Sequence, residues 1–309
     1  MASFRSRIVD RILRILTARP LDPNADPRLV REKLNRLALR FTGKTPGIRV
    51  EKIDIDGLPA EWLTPHTPNH AGTLLYLHGG GYIVCSPDTH RPMVATLARQ
   101  ANTRALVVDY RLAPEHSFPA GIEDALKAWR WLLAQGIPPE SITVAGDSAG
   151  GGLTLALLLS LRDEGGPLPA GAALLSPWTD LTMSGWSHVT HRKRDPMLST
   201  EGALLASHHY LAGASPADPL ASPFFARFEG LPPLFIHVGG NEILLDDSLR
   251  VAEKARAADV DVEIKVWSGL PHVFQAFHFL PESRASLSLI AAFLKRRMTE
   301  NMPTRRAAD

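Results

Sequence analysis

The residue whose surroundings most clearly suggest chemistry is Ser148, which stands in the stretch ITVAGDSAGGGLTL. A β-branched apolar run precedes it and an apolar run typical of a helix follows, so the serine falls on a strand-to-helix turn with almost no loop. Gly146 and Gly150 flank it, where side chains would collide with neighbouring backbone. Such a turn projects its serine outward beside a helix N-terminus, which favours developing negative charge. We predict that Ser148 is a nucleophile and expect Gly151 and Gly152 to keep the helix slim for a substrate.

A glycine triplet in the stretch TLLYLHGGGY could stabilise the transition state of the same reaction. Ester hydrolysis builds negative charge on the carbonyl oxygen, and backbone N–H groups aimed at that oxygen stabilise it. Glycines leave such N–H groups open to a substrate. We expect an oxyanion hole built from Gly79, Gly80 and Gly81 and completed by the N–H of Ala149. His78 is expected to pin this loop by hydrogen bonding rather than to move protons.

A serine nucleophile needs a general base, and the chain has 12 histidines. His272 follows the strand-like run VEIKVW and is the last histidine in such a position, which matches the order serine, acid, histidine of nucleophile-elbow hydrolases. His237 lies inside the run LFIHVG and is expected to be buried and structural. We therefore assign His272 as the base.

The acid of a catalytic triad must lie just beyond a strand, where it can reach the histidine of a neighbouring loop. The run LFIHVGG is followed by NEILLDDSLR. Glu242 comes directly after the strand, whereas Asp246 and Asp247 fall at the predicted start of a helix, where carboxylates favour the helix dipole. We choose Glu242 as the acid and keep Asp246 and Asp247 as alternatives.

The elements that must position these residues alternate along the chain. Short apolar runs predict strands at 49–55, 73–77, 105–109, 142–145, 172–175, 234–238 and 262–267. Helical patterns lie between them, at about 90–101, 121–135, 149–163, 246–258 and 283–297. This alternation predicts an α/β fold with a mainly parallel sheet and helices on both faces.

Two regions interrupt the alternation and divide the chain into four parts. We predict that residues 1–45 are N-terminal cap helices and that 183–219 is an inserted cap segment with a helix near 200–212. The catalytic domain would then comprise 46–182 and 220–309. An insertion before the strand near 234 would lie above the carboxyl ends of the strands, where open α/β sheets bind ligands.

The N-terminal stretch has the pattern of a basic amphipathic helix. Its apolar residues recur at helical spacing among arginines: Ile8, Ile12, Ile15 and Leu16 with Arg5, Arg11 and Arg14. Charged residues break the apolar core that a signal peptide requires. Such a helix could lie on a membrane surface, but we favour a helix that covers a hydrophobic surface of its own protein.

Composition excludes several classes of protein. The chain has 309 residues, of which 45% are hydrophobic and 21% charged, and its net charge is +2, so nothing indicates a nucleic-acid partner. The single cysteine, Cys85, permits no internal disulfide and no cysteine-rich metal site, which fits a cytoplasmic location. We expect no metal, no cofactor and no stable membrane insertion, and the sequence leaves a homodimer open.

Six motifs in order resemble the bacterial hormone-sensitive-lipase family of carboxylesterases: HGGGY, DYRLAPEHSFPA, GDSAGGGL, SPWTDLT, LPPLFIHVG and PHVF. The resemblance implies the α/β-hydrolase fold, with an eight-stranded sheet and a helical cap. It also implies ester hydrolysis by Ser148 and His272 without metal or cofactor, with Gly80, Gly81 and Ala149 as the main oxyanion donors. Many members use aspartate as the acid, so Glu242 is a departure that some members share.

The expected substrate is a small carboxylic ester with a short or medium acyl chain. Tyr82, Trp178 and Phe274 are candidates for lining its pocket. A lactone or aryl-amide hydrolase would use the same triad and stays an alternative, as does a small-molecule receptor on the same fold. A long-chain lipase would favour a strongly apolar lid, whereas 183–219 is rich in histidine and charge.

Overall fold

The computed structural model describes residues 2–16, 26–41 and 45–300, which within these ranges form eight strands and nine α-helices. The strands are β1 (Ile48–Ile55), β2 (Leu58–Pro65), β3 (Thr73–Leu77), β4 (Arg104–Val108), β5 (Ile142–Asp147), β6 (Gly171–Leu175), β7 (Leu234–Gly239) and β8 (Val262–Trp267). The helices are α1 (Phe4–Leu16), α2 (Pro27–Phe41), α3 (Pro87–Ala101), α4 (Ala120–Ala134), α5 (Ala149–Asp163), α6 (Ser187–Thr190), α7 (Thr200–Leu211), α8 (Leu245–Ala257) and α9 (Pro281–Glu300). Residues 1, 17–25, 42–44 and 301–309, which belong to the predicted parts 1–45 and 220–309, lie outside the described residues.

The strands form one sheet in the order β1-β2-β4-β3-β5-β6-β7-β8. β1 and β2 pair antiparallel, β2 is antiparallel to β4, and all further pairs are parallel. The predicted α/β-hydrolase fold with a mainly parallel sheet of eight strands is confirmed. β2 is missing from the seven predicted runs because Glu61 and two prolines break its apolar pattern; Glu61 is buried and pairs with Arg91 of α3.

The central strands are buried on both faces, and alternate residues point to different helices. Leu75 and Leu77 of β3 belong to the cluster that contains α4 and α5, whereas Leu74 and Tyr76 belong to the cluster with α3 and α9. A third cluster joins the outer side of α5 to β6, β7 and α8. This period of two explains the nearly continuous apolar runs, because both sides of each strand face helices.

The N-terminal helix α1 does not cover the protein with its apolar stripe, so that prediction was wrong. Ile8, Ile12 and Ile15 are exposed, and so is Phe4, whereas Val9 and Ser6 face the protein. Ile8, Ile12 and Ile15 of the apolar pattern therefore lie on the outer side of the helix, and the side chain of Leu16 lies outside the described residues.

Helix α7 of the predicted insertion packs against the glycine loop. Tyr210 stacks on Tyr82 with ring centroids 3.8 Å apart, and a Cβ added at Gly81 would lie 3.4 Å from the Cβ of Ala206. Ser199 caps the start of this helix, because its hydroxyl accepts the N–H of Gly202; the sequence alone leaves Ser199 and Thr200 as alternatives for this cap. The inserted segment thus forms part of the surroundings of the glycine loop.

Candidate active site

Ser148 lies on the turn between β5 and α5 with a backbone that few residues adopt. Its φ is 53° and its ψ is −123°, a combination that costs a non-glycine residue about 1–3 kcal/mol. Its N–H donates to Leu175 O at 2.8 Å, and its carbonyl accepts the N–H of Trp178 at 2.9 Å. Neighbouring strand ends therefore hold the strained turn, and Ser148 keeps some exposed surface although the residues on both sides of it are buried.

The glycines around the turn are there because the backbone passes too close for side chains. A Cβ at Gly150 would lie 2.5 Å from the carbonyl oxygen of His78, and one at Gly146 would overlap the carbonyl group of Gly150. Gly151 and Gly152 do not leave room for a substrate, contrary to our expectation. Both are buried, and added Cβ atoms would meet Pro177 and the Trp178 carbonyl oxygen respectively.

Glu242 and His272 meet on the loops that follow β7 and β8. Glu242 Oε2 accepts a hydrogen bond from His272 Nδ1 at 2.6 Å, and Oε1 accepts the Ser176 hydroxyl at 2.7 Å and the Gly239 N–H at 2.6 Å. The carboxylate is fully buried, and the imidazole residue is 4% exposed. Three donors thus fix the carboxylate, which in turn orients the imidazole with Nε2 as the acceptor nitrogen.

The other two carboxylates that were considered for the acid have different partners. Asp246 accepts the N–H of Ser187 at 2.8 Å. Asp247 accepts the N–H groups of Thr179 and Asp180 at 2.7 and 3.0 Å, and burial raises the pKa of its carboxyl to about 7. Both hold the segment after β6 to the start of α8, and neither hydrogen-bonds His272 within the described ranges.

Ser148 and His272 lie beside the same strand end but do not hydrogen-bond each other in the part of the chain that the structure describes. Ser148 is tied to Leu175, the last residue of β6, and the N–H of Val273 donates to the hydroxyl of Ser176, the next residue, at 3.3 Å. The serine turn and the loop of His272 are therefore both tied to the carboxyl end of β6. Catalytic hydrogen bonds are often long in a resting enzyme and tighten in the Michaelis complex.

Nearby carboxylates control the charge state of His272. Burial alone would lower the pKa of the imidazole, but the charge and hydrogen bond of Glu242, with further contributions from Asp195 and Asp147, raise the pKa above its ordinary value. The group will therefore accept a proton readily, which a general base must do, and will become protonated at a higher pH than a free histidine.

The glycine loop presents two free N–H groups beside Ser148. Gly80 and Gly81 keep exposed surface, and neither their N–H groups nor that of Ala149 has an acceptor among the described residues. Gly79 differs from its neighbours, because its N–H donates to Asp147 Oδ1 at 3.1 Å. We therefore remove Gly79 from the predicted oxyanion donors; it is buried, and an added Cβ would collide with Asp147.

A buried polar network behind the loop centres on Asp147, the residue before Ser148. Its Oδ1 accepts the Tyr76 hydroxyl at 2.7 Å as well as the Gly79 N–H, and its Oδ2 lies 3.1 Å from His90 Nε2. Burial would raise the pKa of Asp147, but His90 and Tyr76 lower it below its ordinary value. The network ties the glycine loop to the strand end that carries the serine.

His78 acts within this network as predicted. Its Nδ1 lies 2.8 Å from Gly79 O, its ring stacks on Tyr110 at 4.4 Å, and its own carbonyl accepts the Tyr110 hydroxyl at 2.7 Å. Burial, with a smaller effect of His90, lowers the pKa of His78 to about 3, so it stays neutral at physiological pH. His237 is also buried, at 2.7 Å from the Ser286 hydroxyl.

The three predicted pocket residues have different positions. Trp178 donates its N–H to Ser148 O and lies 6.1 Å from Tyr82, ring to ring, so both belong to the surroundings of the serine. Phe274 does not line a pocket. Its ring is fully buried and packs on Trp267 at 5.4 Å, so it belongs to the hydrophobic core.

Two residues that support the candidate triad were not recognised from the sequence. Ser176 bridges Glu242 and the loop of His272; its position directly after a buried strand was the available signal. Asp195 is one of the charged residues of the segment 183–219, but it is buried and its Oδ2 accepts the N–H of Ile243 at 2.8 Å. Its Oδ1 accepts the N–H groups of Met197 and Leu198, which holds this stretch next to the acid loop.

The described ranges offer no metal centre and no membrane span beside this candidate site. They contain no group of three or more His, Cys, Asp or Glu side chains arranged to hold a metal ion, and no helix among them has the length and apolarity to cross a bilayer. A cleft of about 360 Å³ beside Asp109 and Lys127 and an apolar cleft of about 620 Å³ between α4 and α5 contain none of the predicted site residues.

This fold and site define an α/β hydrolase, and comparison with known proteins agrees. Residues 74–276 match the family described as the α/β hydrolase fold. An acetyl-hydrolase of Streptomyces hygroscopicus is 41% identical over 271 residues, which cover 87% of this chain and 89% of that protein. An esterase of Acinetobacter venetianus is 36% identical over 284 residues, which cover 91% of this chain and 93% of that protein.

Solved structures identify the branch of the family. An esterase from the bacterial hormone-sensitive lipase family is 41% identical with a TM-score of 0.90, and the match covers 96% of this chain and 100% of that one. A hormone-sensitive lipase from a metagenome library is 37% identical with a TM-score of 0.91 and the same coverage. The chain belongs to the α/β hydrolase family, in its bacterial hormone-sensitive-lipase branch, and the prediction of a carboxylic ester hydrolase is confirmed.

Proposed function

We propose that the chain is a serine carboxylesterase that hydrolyses short- to medium-chain esters through an acyl-enzyme on Ser148. The observation that carries this proposal is the hydrogen bond between Glu242 and His272 Nδ1, which leaves Nε2 to accept a proton beside the strained serine turn. His272 would take the hydroxyl proton as Ser148 attacks the ester carbonyl and return it to the leaving alcohol. In the second half of the reaction, His272 would take a proton from water, which attacks the acyl-enzyme. The carboxylic acid would leave, and the proton would return to Ser148.

The negative charge of the tetrahedral intermediate would be bound by backbone donors. The N–H groups of Gly80, Gly81 and Ala149 support this role because they have no acceptor among the described residues. Ala149 is also the first residue of α5, whose N-terminus favours negative charge. Loss of one such donor typically costs about 10²–10³ in rate.

The size of the substrate would be limited by a cap formed from 1–45 and 183–219. Contacts of α7 with the glycine loop support this assignment, as does Arg31 of α2, which donates to the carbonyl oxygens of Ile83 at 3.0 Å and Ala113 at 2.8 Å. The buried Tyr82 and Tyr210 rings would restrict the space beyond Gly81. The acetyl-hydrolase among the relatives supports small acyl groups. A cytoplasmic location and a homodimer stay predictions.

Ser148 would attack a lactone or an aryl amide in the same way as an ester. A receptor on this fold would bind a small molecule in the pocket but would not hydrolyse it. A series of p-nitrophenyl esters of increasing acyl length, with one lactone and one anilide, separates these functions. We expect the highest kcat/KM for acetate to hexanoate esters. Faster hydrolysis of the lactone or the anilide would replace the ester assignment, and the absence of p-nitrophenol release would support the receptor.

The nucleophile is tested by Ser148→Ala, with Ser184→Ala as the matched control on an exposed serine. We expect the first variant to lose turnover while its thermal unfolding shows a retained fold, and the control to keep its activity. Labelling of the wild type, but not of Ser148→Ala, by an organophosphonate would identify the acylated residue by mass. Equal labelling of both would remove Ser148 from the mechanism.

A further inference from the structure

Helix α1 exposes a continuous apolar stripe that nothing in the described residues covers. Phe4, Ile8, Ile12 and Ile15 are 77%, 44%, 50% and 72% exposed. At 100° per residue, these four side chains fall within about 80° of one another around the helix axis. Exposed hydrophobic residues are ordinary when scattered, but a stripe along one helix indicates an interaction surface.

Arginines border this stripe on both sides. On the same helical wheel Arg7, Arg11 and Arg14 follow one edge and Arg5 follows the other. All four are exposed, and Arg7 and Arg11 form no ion pair among the residues described. Asp10 is the helix's single acidic residue and is paired with Arg14.

The helix is held in place by hydrogen bonds at both ends and by a buried side chain, so its orientation is fixed. At its beginning, the backbone N–H of Ser3 donates to Glu282 Oε1 at 2.5 Å. At its end, Arg14 donates to Lys193 O at 2.8 Å and to Arg194 O at 2.5 Å. Val9 is buried against the protein.

We propose that this face of α1 docks on an anionic phospholipid surface. Such a surface offers an apolar layer for the isoleucines and negatively charged headgroups for the arginines that border them, which is the pattern of an interfacial helix. A symmetric contact with a second copy would instead bring the arginines of two identical helices together. The proposal does not depend on the catalytic roles proposed above, since binding requires no turnover.

Docking through α1 would hold the candidate active site next to the lipid. The start of the chain lies against the loop that carries His272, since a Cβ at Gly269 would be 3.1 Å from the Cβ of Ala2. The end of α1 contacts Lys193 and Arg194, which precede Asp195 and its hydrogen bond to the acid loop. An ester that leaves the lipid surface would therefore emerge beside the triad.

The test is flotation of the full chain with vesicles of phosphatidylcholine alone or mixed with phosphatidylglycerol, at low and high salt. We expect binding to the mixed vesicles that weakens with salt. Ile12→Ser/Ile15→Ser should reduce the partition coefficient at least roughly tenfold, and Arg7→Gln/Arg11→Gln should reduce it about fivefold per arginine at low salt.

Control variants carry changes of the same kind on other surfaces, and the single arginine control is compared with the effect per arginine. Leu249→Ser/Leu289→Ser removes two exposed hydrophobic side chains from α8 and α9, and Arg256→Gln removes an exposed charge from α8. Both controls should bind as the wild type does, and thermal unfolding should show that all variants are folded. Absence of binding to the mixed vesicles, or equal binding by the α1 variants, would overturn the proposal. A dimer that the isoleucine substitutions dissociate, without vesicle binding, would assign the face to a second copy instead.

Discussion

Replacement of Glu242 by glutamine tests whether activity requires the correct tautomer and orientation of His272 and not only the presence of an imidazole. In the wild type Oε1 accepts from Ser176 and Gly239 while Oε2 accepts from His272 Nδ1. A glutamine that keeps its oxygen toward the first two donors must direct its NH₂ group at His272. The imidazole then accepts at Nδ1 and carries its proton on Nε2, where it cannot take a proton from Ser148.

The opposite orientation of the glutamine is no better. It would direct the NH₂ group at the Gly239 N–H, so two donors would face each other in a fully buried place. We therefore expect the first orientation and a fall of about 10³–10⁴ in kcat/KM, by analogy with the loss of the correct tautomer in other triads. That fall is about 4–5.5 kcal/mol of transition-state stabilisation at 1.36 kcal/mol per tenfold.

The assay is kcat/KM for p-nitrophenyl acetate against pH, with Asp246→Asn as the matched control. Among the residues described, the Asp246 carboxylate accepts only the Ser187 N–H, which an asparagine oxygen can also accept, so the control should keep most of its activity. Loss of the Glu242 charge lowers the pKa of His272, so the residual activity of Glu242→Gln should persist to lower pH than that of the wild type. More than a tenth of wild-type kcat/KM in Glu242→Gln, or a larger loss in Asp246→Asn, would refute the assignment of the acid.

Three further predictions concern the serine turn and its base. Ser148→Gly should be inactive but more stable than the equally inactive Ser148→Ala, by about 1 kcal/mol in chemical unfolding, because glycine adopts the φ of 53° with little strain; equal stabilities would mean that the turn is not strained. Gly150→Ala should lower the free energy of unfolding by about 3 kcal/mol or more, or prevent folding, because its Cβ would overlap backbone oxygens. Gly166→Ala is the control: its added Cβ meets nothing nearer than 3.6 Å, so it should unfold like the wild type. For the wild type, kcat/KM should fall with decreasing pH as His272 is protonated, with a midpoint above 6.5 because the pKa is raised; a rate that stays constant down to pH of about 5 would contradict a neutral histidine base.

Much of the fold follows from local patterns, because each central strand is apolar on both sides and is followed by a helix. The order of strands predicted that Ser148, Glu242 and His272 follow the carboxyl ends of strands, which are β5, β7 and β8. The choice of Glu242 over Asp246 depended only on distance from the end of β7. Features that depend on contacts between distant elements were harder to predict from the sequence. β2 could not be recognised because Glu61 breaks its apolar pattern. This buried carboxylate is stable because it pairs with Arg91, which lies on another element.

The roles of single glycines could not be separated by sequence. Gly79, Gly80 and Gly81 look alike in the chain, and only the position of Asp147 shows that the first N–H is already bonded.

Ile8, Ile12 and Ile15 form a strong amphipathic pattern, but a pattern does not say whether the apolar side faces the protein or a partner. Here the buried side of α1 is narrow and carries Ser6 and Val9.

The position of α9 has a consequence for synthesis of the protein. Leu287, Ile290, Phe293, Leu294 and Met298 close one face of the sheet over residues of β3, β4 and β5. A ribosome makes α9 after all eight strands, so the middle of the sheet stays uncovered on that side until this helix has left the exit tunnel. The nascent chain would then expose its most apolar strands until α9 emerges, and its dependence on chaperones should be greatest in that interval.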